Sequence, residues 1–226
     1  QIFSNLLDDD IIDRAIVRNH NDENLIFLDL VNLTQGETGP GEKRGTPAAA
    51  GVGEDMCDFY RGYIPQGFRC QNVLGDGACL FRALLTSTDP TFNNNDDELK
   101  TGLAFNLRSR IVEHIYAHWR YYYGRTGVVP GDVLMIRRWA VTRDSSTTDI
   151  RELYKEMMDE RHEYGNEEEI RAYADMENIQ VTVYSDFYSP QIFEPRTQIF
   201  PPQRDRREIH VFYASGNLHY MALIPE

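Results

Sequence analysis

The sequence of 226 residues contains no run approaching the ~20 apolar residues that a membrane-spanning helix needs. Basic residues are the minority, 23 Lys and Arg against 36 Asp and Glu, for a formal charge of -13. Binding a phosphate backbone takes clustered cations, so this balance argues against a nucleic-acid partner. An acidic surface suits a basic protein partner and is equally a common solubility device. Cysteine is scarce, at positions 57, 70 and 79 only. Three cysteines cannot all pair and no close Cys-x-x-Cys couple occurs, which signals neither a disulfide framework nor a zinc site and fits a reducing compartment. The first residues lack the basic, apolar and small-residue succession of a secretory signal. Internal repeats are absent as well.

What is present suffices for a core. Hydrophobic residues make up 41% of the chain, with 13 Tyr and 11 Phe, so global disorder is excluded. Residues 1–55 read as an N-terminal extension. One helix is expected around "NLLDDDIIDRAIVRN" (Asn5–Asn19), where Leu7, Ile11, Ile12, Ala15 and Ile16 share a face. Leu25–Leu33 is apolar and fits a strand or a short helix, and Thr34–Asp55, rich in Gly and Pro, reads as a linker. The compact domain is expected over 56–226.

Within it, Phe68–Val73 reads as a strand and Cys79–Leu85 as the start of a helix that Pro90 stops. Asn93–Tyr123 is the longest helical pattern, with Leu99, Leu103, Leu107, Ile111 and Ile115 at helical spacing and Asp96 or Asn95 as cap. Further helices are expected at Gly131–Val141, Ser146–Glu160 (capped near Asp149 or Thr148) and Glu167–Asn178, the last with the acidic first turn that a helix dipole favours. Ile179–Asp186, Glu208–Ser215 and Leu218–Pro225 alternate as strands, the last two joined through a hairpin-type connection at Gly216-Asn217. Helices first and strands last argue an α+β fold.

Chemistry concentrates at "LGDGACLFRAL" (Leu74–Leu84). Gly75 and Gly77 let the backbone turn and form a nest of amides, and Cys79 follows at a helix start. Unpaired N–H groups and the dipole there favour a thiolate and can hold an oxyanion. A small buried apolar residue after an ordinary turn is the competing reading of Cys79; Cys57 and Cys70 take that reading alone. A cysteine nucleophile needs an imidazole near it in space. His20, His162 and His210 show no feature that marks them. His114 and His118 lie one helical turn apart but lack the glutamate and third ligand of a zinc motif. His219 opens the last strand just after a turn, where a side chain is held rigidly at a cleft; a half-exposed strand histidine is the alternative.

Together these segments resemble the OTU (ovarian tumour) family of cysteine deubiquitinases. Asp76-Gly77-Ala78-Cys79-Leu80-Phe81-Arg82 is similar to its Cys box, and His219-Tyr220-Met221-Ala222-Leu223 to its His box. Glu163–Tyr184 looks like the intervening aromatic-Gly turn, acidic helix and strand. The resemblance covers Phe68–Glu226 and implies a papain-like OTU fold, a small central β-sheet packed between helices. It implies Cys79 as nucleophile and His219 as general base. Amides around Asp76–Cys79, with Gly77 and Ala78, would form the oxyanion hole, Asp76 shaping the loop and Phe81 packing beneath the helix. Many members orient the imidazole with an Asp or Asn two residues after the histidine; here that position is Met221. Asn217 from the turn, Asp58 or Asp55 upstream, or a bare Cys-His dyad are the replacements, with Asn217 preferred. Gly-Asn is also plain turn chemistry.

The implied reaction is thiol acyl transfer at the C-terminal glycine of ubiquitin, polyubiquitin or a ubiquitin-like modifier, by a monomer that needs no metal or organic cofactor. Tyr164, Gly165, Asn166 and Tyr220 would line the groove for the modifier's tail. Glu167, Glu168 and Glu169 read first as a solvated helix start. The implied setting is the cytoplasm, or a host cytosol for a viral or intracellular bacterial chain. A catalytically weak OTU-like ubiquitin-binding module and a papain-like polyprotein peptidase are the alternatives.

Overall fold

The computed structural model describes residues 56–124, 131–143, 145–160, 163–196 and 206–226. The elements expected at Asn5–Asn19, Leu25–Leu33 and Thr34–Asp55 lie outside these residues, as do His20, Asp55 and His162. The described residues fall in two units, one within Pro47–Gly124 and Lys155–Glu226, the other within Arg125–Tyr154.

The larger unit opens with α1 (Met56–Phe59), a 3-10 turn at Arg61–Tyr63 and β1 (Phe68–Gln71). Helix α2 (Cys79–Thr88) begins at the glycine turn and ends where Asp89 goes extended ahead of Pro90. Asp89 then caps the next turn, accepting from Thr91 N–H at 2.9 Å. Helix α3 (Asp97–Ala117) starts as expected at Asp96, whose carboxylate accepts from Leu99 N–H at 2.8 Å. It ends earlier than the apolar pattern suggests: the chain breaks at His118 and resumes as α4 (Trp119–Tyr122). Ala104, Leu107, Arg108, Ile111, Val112 and Ile115 are its buried residues, while Leu99 and Leu103 are exposed. The first turns run past the edge of the core, so only the later part of the leucine stripe is covered.

In the smaller unit, α5 spans Gly131–Thr142. Helix α6 (Ile150–Asp159), assigned to the smaller unit up to Tyr154 and to the larger from Lys155, follows Asp149, which accepts from Arg151 N–H at 2.9 Å. Back in the larger unit, α7 (Glu167–Glu177) carries a full capping box: Asn166 caps the first turn and Glu169 returns to the Asn166 N–H. It closes on Asn178 in the left-handed region, φ 52°.

Four further strands complete a sheet of order β1-β5-β4-β2-β3. They are β2 (Gln180–Ser185), β3 (Gln191–Phe193), β4 (Glu208–Ala214) and β5 (His219–Pro225). β2 and β4 pair in parallel and every other pair is antiparallel. β3 was not foreseen; three residues between Pro190 and Pro195 are too few to show an alternation. The β4–β5 link is a 3-10 turn, Ser215–Asn217, with Leu218 left-handed at φ 50°, so β5 starts one residue later than expected. Val211, Phe212, Tyr213 and Ala214 are buried in succession, so both faces of the sheet are covered. Phe212, Ala214, Met221 and Leu223 pack with Tyr60, and Met56, Cys57 and Ile64 lie against them. Helix α2 packs on β4 and β5, and α7 on β2 and β3. The fold is α+β.

The cysteine reading needs correction. Cys57 and Cys70 form a disulfide, their Cα atoms 5.6 Å apart, and Cys79 is the free thiol. Their separation of 13 residues carries no motif; the pairing exists because α1 folds back on β1. Met221 Sδ lies 3.7 Å from the Cys70 sulfur and 3.9 Å from the Cys57 sulfur. With two of three cysteines bonded, the cysteine count no longer argues for a reducing compartment.

Candidate active site

Cys79 is the first residue of α2 and 1% exposed. The turn before it is shaped from two sides. Gly77 sits at φ 81°, open to glycine and costly for other residues. Asp76 accepts from Ala78 N–H at 3.2 Å and takes both ends of the Arg82 guanidinium, at 3.2 Å and 2.6 Å. Arg82, one helical turn beyond Cys79, is buried and also donates to Thr101 Oγ1 at 2.9 Å. Burial pushes the Asp76 carboxyl up, but the Arg82 hydrogen bond and charge and the Ala78 N–H hold it below the ordinary carboxylate range.

His219 opens β5, and the turn Ser215–Asn217 with left-handed Leu218 aims its ring back toward the Cys79 loop. Its Nε2 lies 3.0 Å from Asn72 Oδ1. On the other side of the ring, a Cβ placed on Gly75 would come within 3.6 Å of Nδ1. The segment Asn72–Ala78, which runs from β1 into Cys79, therefore encloses the imidazole. Strand β5 also bears on the thiol, the Tyr220 backbone pulling its pKa down against burial.

A helix start was expected to lower the Cys79 pKa. The structure has it raised: burial pushes the thiol up, and the N–H groups of Tyr220, Leu80 and Cys79 recover only part. Burial likewise pushes the His219 pKa down, with a Val73 backbone hydrogen bond and the Asp76 charge pulling the other way. Burial thus disfavours the charged form of both groups.

The other sequence candidates separate. Asn217 turns away from the imidazole and donates to Tyr60 Oη at 2.9 Å. Asp58 pairs with Arg61 on the surface. Met221 is fully buried against the disulfide. Among the described residues no group of three or more His, Cys, Asp and Glu could hold a metal ion, and no helix is long and apolar enough to cross a membrane.

A family model for OTU-like cysteine proteases matches residues 74–220, about two thirds of the chain. The chain belongs to the OTU family. No curated protein matches it. Among solved structures, it is similar to the OTU domain protease of Farallon virus, with a TM-score of 0.47 and 19% identity over 71% of this chain and 86% of that one. The Hazara virus OTU bound to ubiquitin gives 0.43 and 15% over 69% and 80%. An OTU deubiquitinase from Wolbachia pipientis wMel gives 0.43 and 15% over 72% and 91%.

In this OTU domain the loop that follows Glu163 lies along the start of α2. A Cβ on Gly165 would meet Leu80 Cδ2 at 2.6 Å and Phe81 Cζ at 3.1 Å, so the close approach requires glycine. Tyr164 is exposed, Asn166 serves as the α7 cap with its Oδ1 on the Glu168 N–H, and Tyr220 packs on Tyr213 with ring centroids 4.8 Å apart. Glu169 is fully buried, unlike the solvated helix start read from the sequence, because its carboxylate closes the capping box. Asn72 was missed. The last β1–β5 pair is Gln71 with Ala222, so Asn72 is the first residue past β1, beside the strand that begins at His219. Only the pairing of two distant strands makes that visible.

Proposed function

We propose that this OTU domain is a deubiquitinase that cleaves the isopeptide bond at the C-terminal glycine of ubiquitin or a ubiquitin-like modifier, with Cys79 as nucleophile, His219 as general base and Asn72 as the group that orients the imidazole. The enclosure of His219 by the loop that ends at Cys79 carries this reading. Asn72 Oδ1 also accepts from the Val73 N–H at 3.0 Å, which identifies the atom facing His219 as oxygen. An oxygen there selects the tautomer protonated at Nε2 and leaves the Nδ1 lone pair, beside Gly75, to accept a proton.

In the proposed cycle Nδ1 takes the Cys79 proton as the sulfur attacks the glycine carbonyl. The Cys79 and Gly77 N–H groups receive the oxyanion, the Ala78 N–H being held by Asp76. The carbon–nitrogen bond breaks as His219 returns the proton to the departing lysine amine, and water then hydrolyses the thioester with His219 again as base. The Tyr164-Gly165-Asn166 loop, packed against the α2 start, would form one wall of the groove for the Gly-Gly tail, with Tyr220 at its side. Such a substrate sets the place of action as a eukaryotic cytosol, a host's for a viral or bacterial chain.

The test is hydrolysis of ubiquitin carrying a fluorogenic C-terminal leaving group, together with covalent capture by a ubiquitin-tail electrophile. Turnover and a Cys79 adduct are expected, and neither with Cys79→Ala. Binding of ubiquitin without turnover or adduct would make the chain a binding module; cleavage of linear peptides but not of ubiquitin would make it a peptidase.

A further inference from the structure

We propose that Arg108 is a positioning residue that locks the nucleophile loop and the tail-groove loop into one register and so fixes the turn that leads to the Cys79 N–H. The proposal rests on the deubiquitinase reading for its catalytic consequence; the mechanical part stands on geometry alone.

Arg108 lies in the middle of α3 and is 3% exposed. An isolated guanidinium in such a place is costly. Its hydrogen bonds all end on main-chain carbonyls: Gly77 at 2.6 Å, Glu160 at 2.8 Å, and Glu163. The guanidinium carbon sits over the rings of Phe81 (5.0 Å) and Phe105 (5.5 Å), while Nε has no partner. Burial pushes the Arg108 pKa down, and of the surrounding charges Glu169 pulls it back up most.

Two of these carbonyls bound the site. The Gly77 carbonyl shares its peptide plane with the Ala78 N–H, and in a trans peptide the two point in opposite directions. Fixing the carbonyl inward on Arg108 therefore fixes the Ala78 N–H outward, where Asp76 Oδ1 accepts it, so the turn that leads to the Cys79 N–H is held from both sides. The left-handed Gly77 makes that plane attainable. Glu163 precedes Tyr164-Gly165-Asn166, and the far end of that loop is held by Glu169, whose carboxylate accepts from the Asn166 N–H at 2.7 Å. A buried cation and a buried anion thus grip the two ends of the groove loop, and the cation also grips the nucleophile loop. Gly165, pressed on Leu80 and Phe81, shows how little slack remains between them. A lysine carries the charge but lacks the planar fork that reaches several carbonyls at once.

The test compares wild type with Arg108→Lys and Arg108→Gln in the full chain, the lysine variant keeping the charge if the glutamine variant fails to fold. Amide hydrogen exchange is expected to accelerate in both 75–79 and 163–166; acceleration in only one loop, or in neither, overturns the register claim, whatever the substrate. Turnover of the ubiquitin derivative and affinity for ubiquitin aldehyde, which forms a tetrahedral adduct, are expected to fall together by about 10- to 100-fold. Alkylation of Cys79 by a haloacetamide, which forms no oxyanion, should stay within about twofold of wild type, as those losses fall on acyl transfer. Equal losses in alkylation and turnover would reduce Arg108 to a general structural residue. If wild type fails to process ubiquitin, the deubiquitinase reading falls, and the exchange data still decide the coupling of the loops.

Discussion

Asp175 and Arg196 form one buried polar cluster of the larger unit, and Cys79 with His219 forms another. In the first, every charge meets an opposite charge or a hydrogen bond. The Asp175 carboxylate receives Tyr122 Oη, Arg196 Nε and the Arg196 N–H, each at 2.7 Å. The guanidinium lies 3.6 Å from the Tyr121 ring centroid. In the second, burial suppresses charge instead: the thiol is pushed up and the imidazole down, and their hydrogen bonds come from Asn72 and backbone amides. Charged and satisfied groups have nothing to exchange, so the first cluster ties α3, α4, α7 and the segment after β3. The second cluster keeps its groups out of the charged form instead. Burial is met by pairing of charges in one cluster and by suppression of charge in the other.

Substitutions can break this distinction, beginning with the largest effect. Cys79→Ser should remove more than about four orders of magnitude of turnover, leaving the thermal midpoint near wild type; a large drop in that midpoint would make the cysteine structural. Arg196→Met strands the Asp175 carboxylate and should cost about 3–5 kcal/mol in urea unfolding. In folded protein it should change kcat by less than about twofold, a distant buried cluster being independent of the site; a loss to match Asn72→Ala would erase the contrast between the clusters.

Asn72→Ala should lower kcat/KM by about 10- to 100-fold, as expected when the imidazole loses its orienting partner. Asn217→Ala should cost only the hydrogen bond to Tyr60, about 1 kcal/mol of stability, with kcat/KM unchanged. A reversed ranking in steady-state kinetics would restore the turn residue as the third group. The smallest effect is in pH. His114, His210 and His219 all have pKa values held below the ordinary 6.5, chiefly by burial. The unfolded chain binds these protons first, so stability present above pH 6.5 declines as the pH falls through the folded values. Thermal midpoints should drop from pH 7.5 to 5.5, and His114→Gln should flatten the slope; a flat wild-type profile would contradict neutral buried histidines.

Much of the fold was legible because its signals are local. The Asp96 cap, the stop before Pro90 and the acidic start of α7 depend on residues within one turn of each other. Leu99 and Leu103 misled, since helical spacing marks a face without saying where the core ends. β3 escaped as too short for a period. In the site, Cys79 and His219 stood out because a glycine turn before a helix and a histidine after a turn are contiguous patterns. Asn72 offered none, and Arg108 read as one polar residue on a long helix.

The sequence by itself determined the order of the elements, the turn that presents Cys79 and the strand that begins at His219, since each follows from backbone preferences of adjacent residues. Only the tertiary structure decided that Asn72 faces the imidazole, that Cys57 and Cys70 are bonded, that Arg108 holds two loops, and that the thiol rests protonated. Each depends on strand register or on exclusion of water, and both come from residues far apart in the chain being packed together.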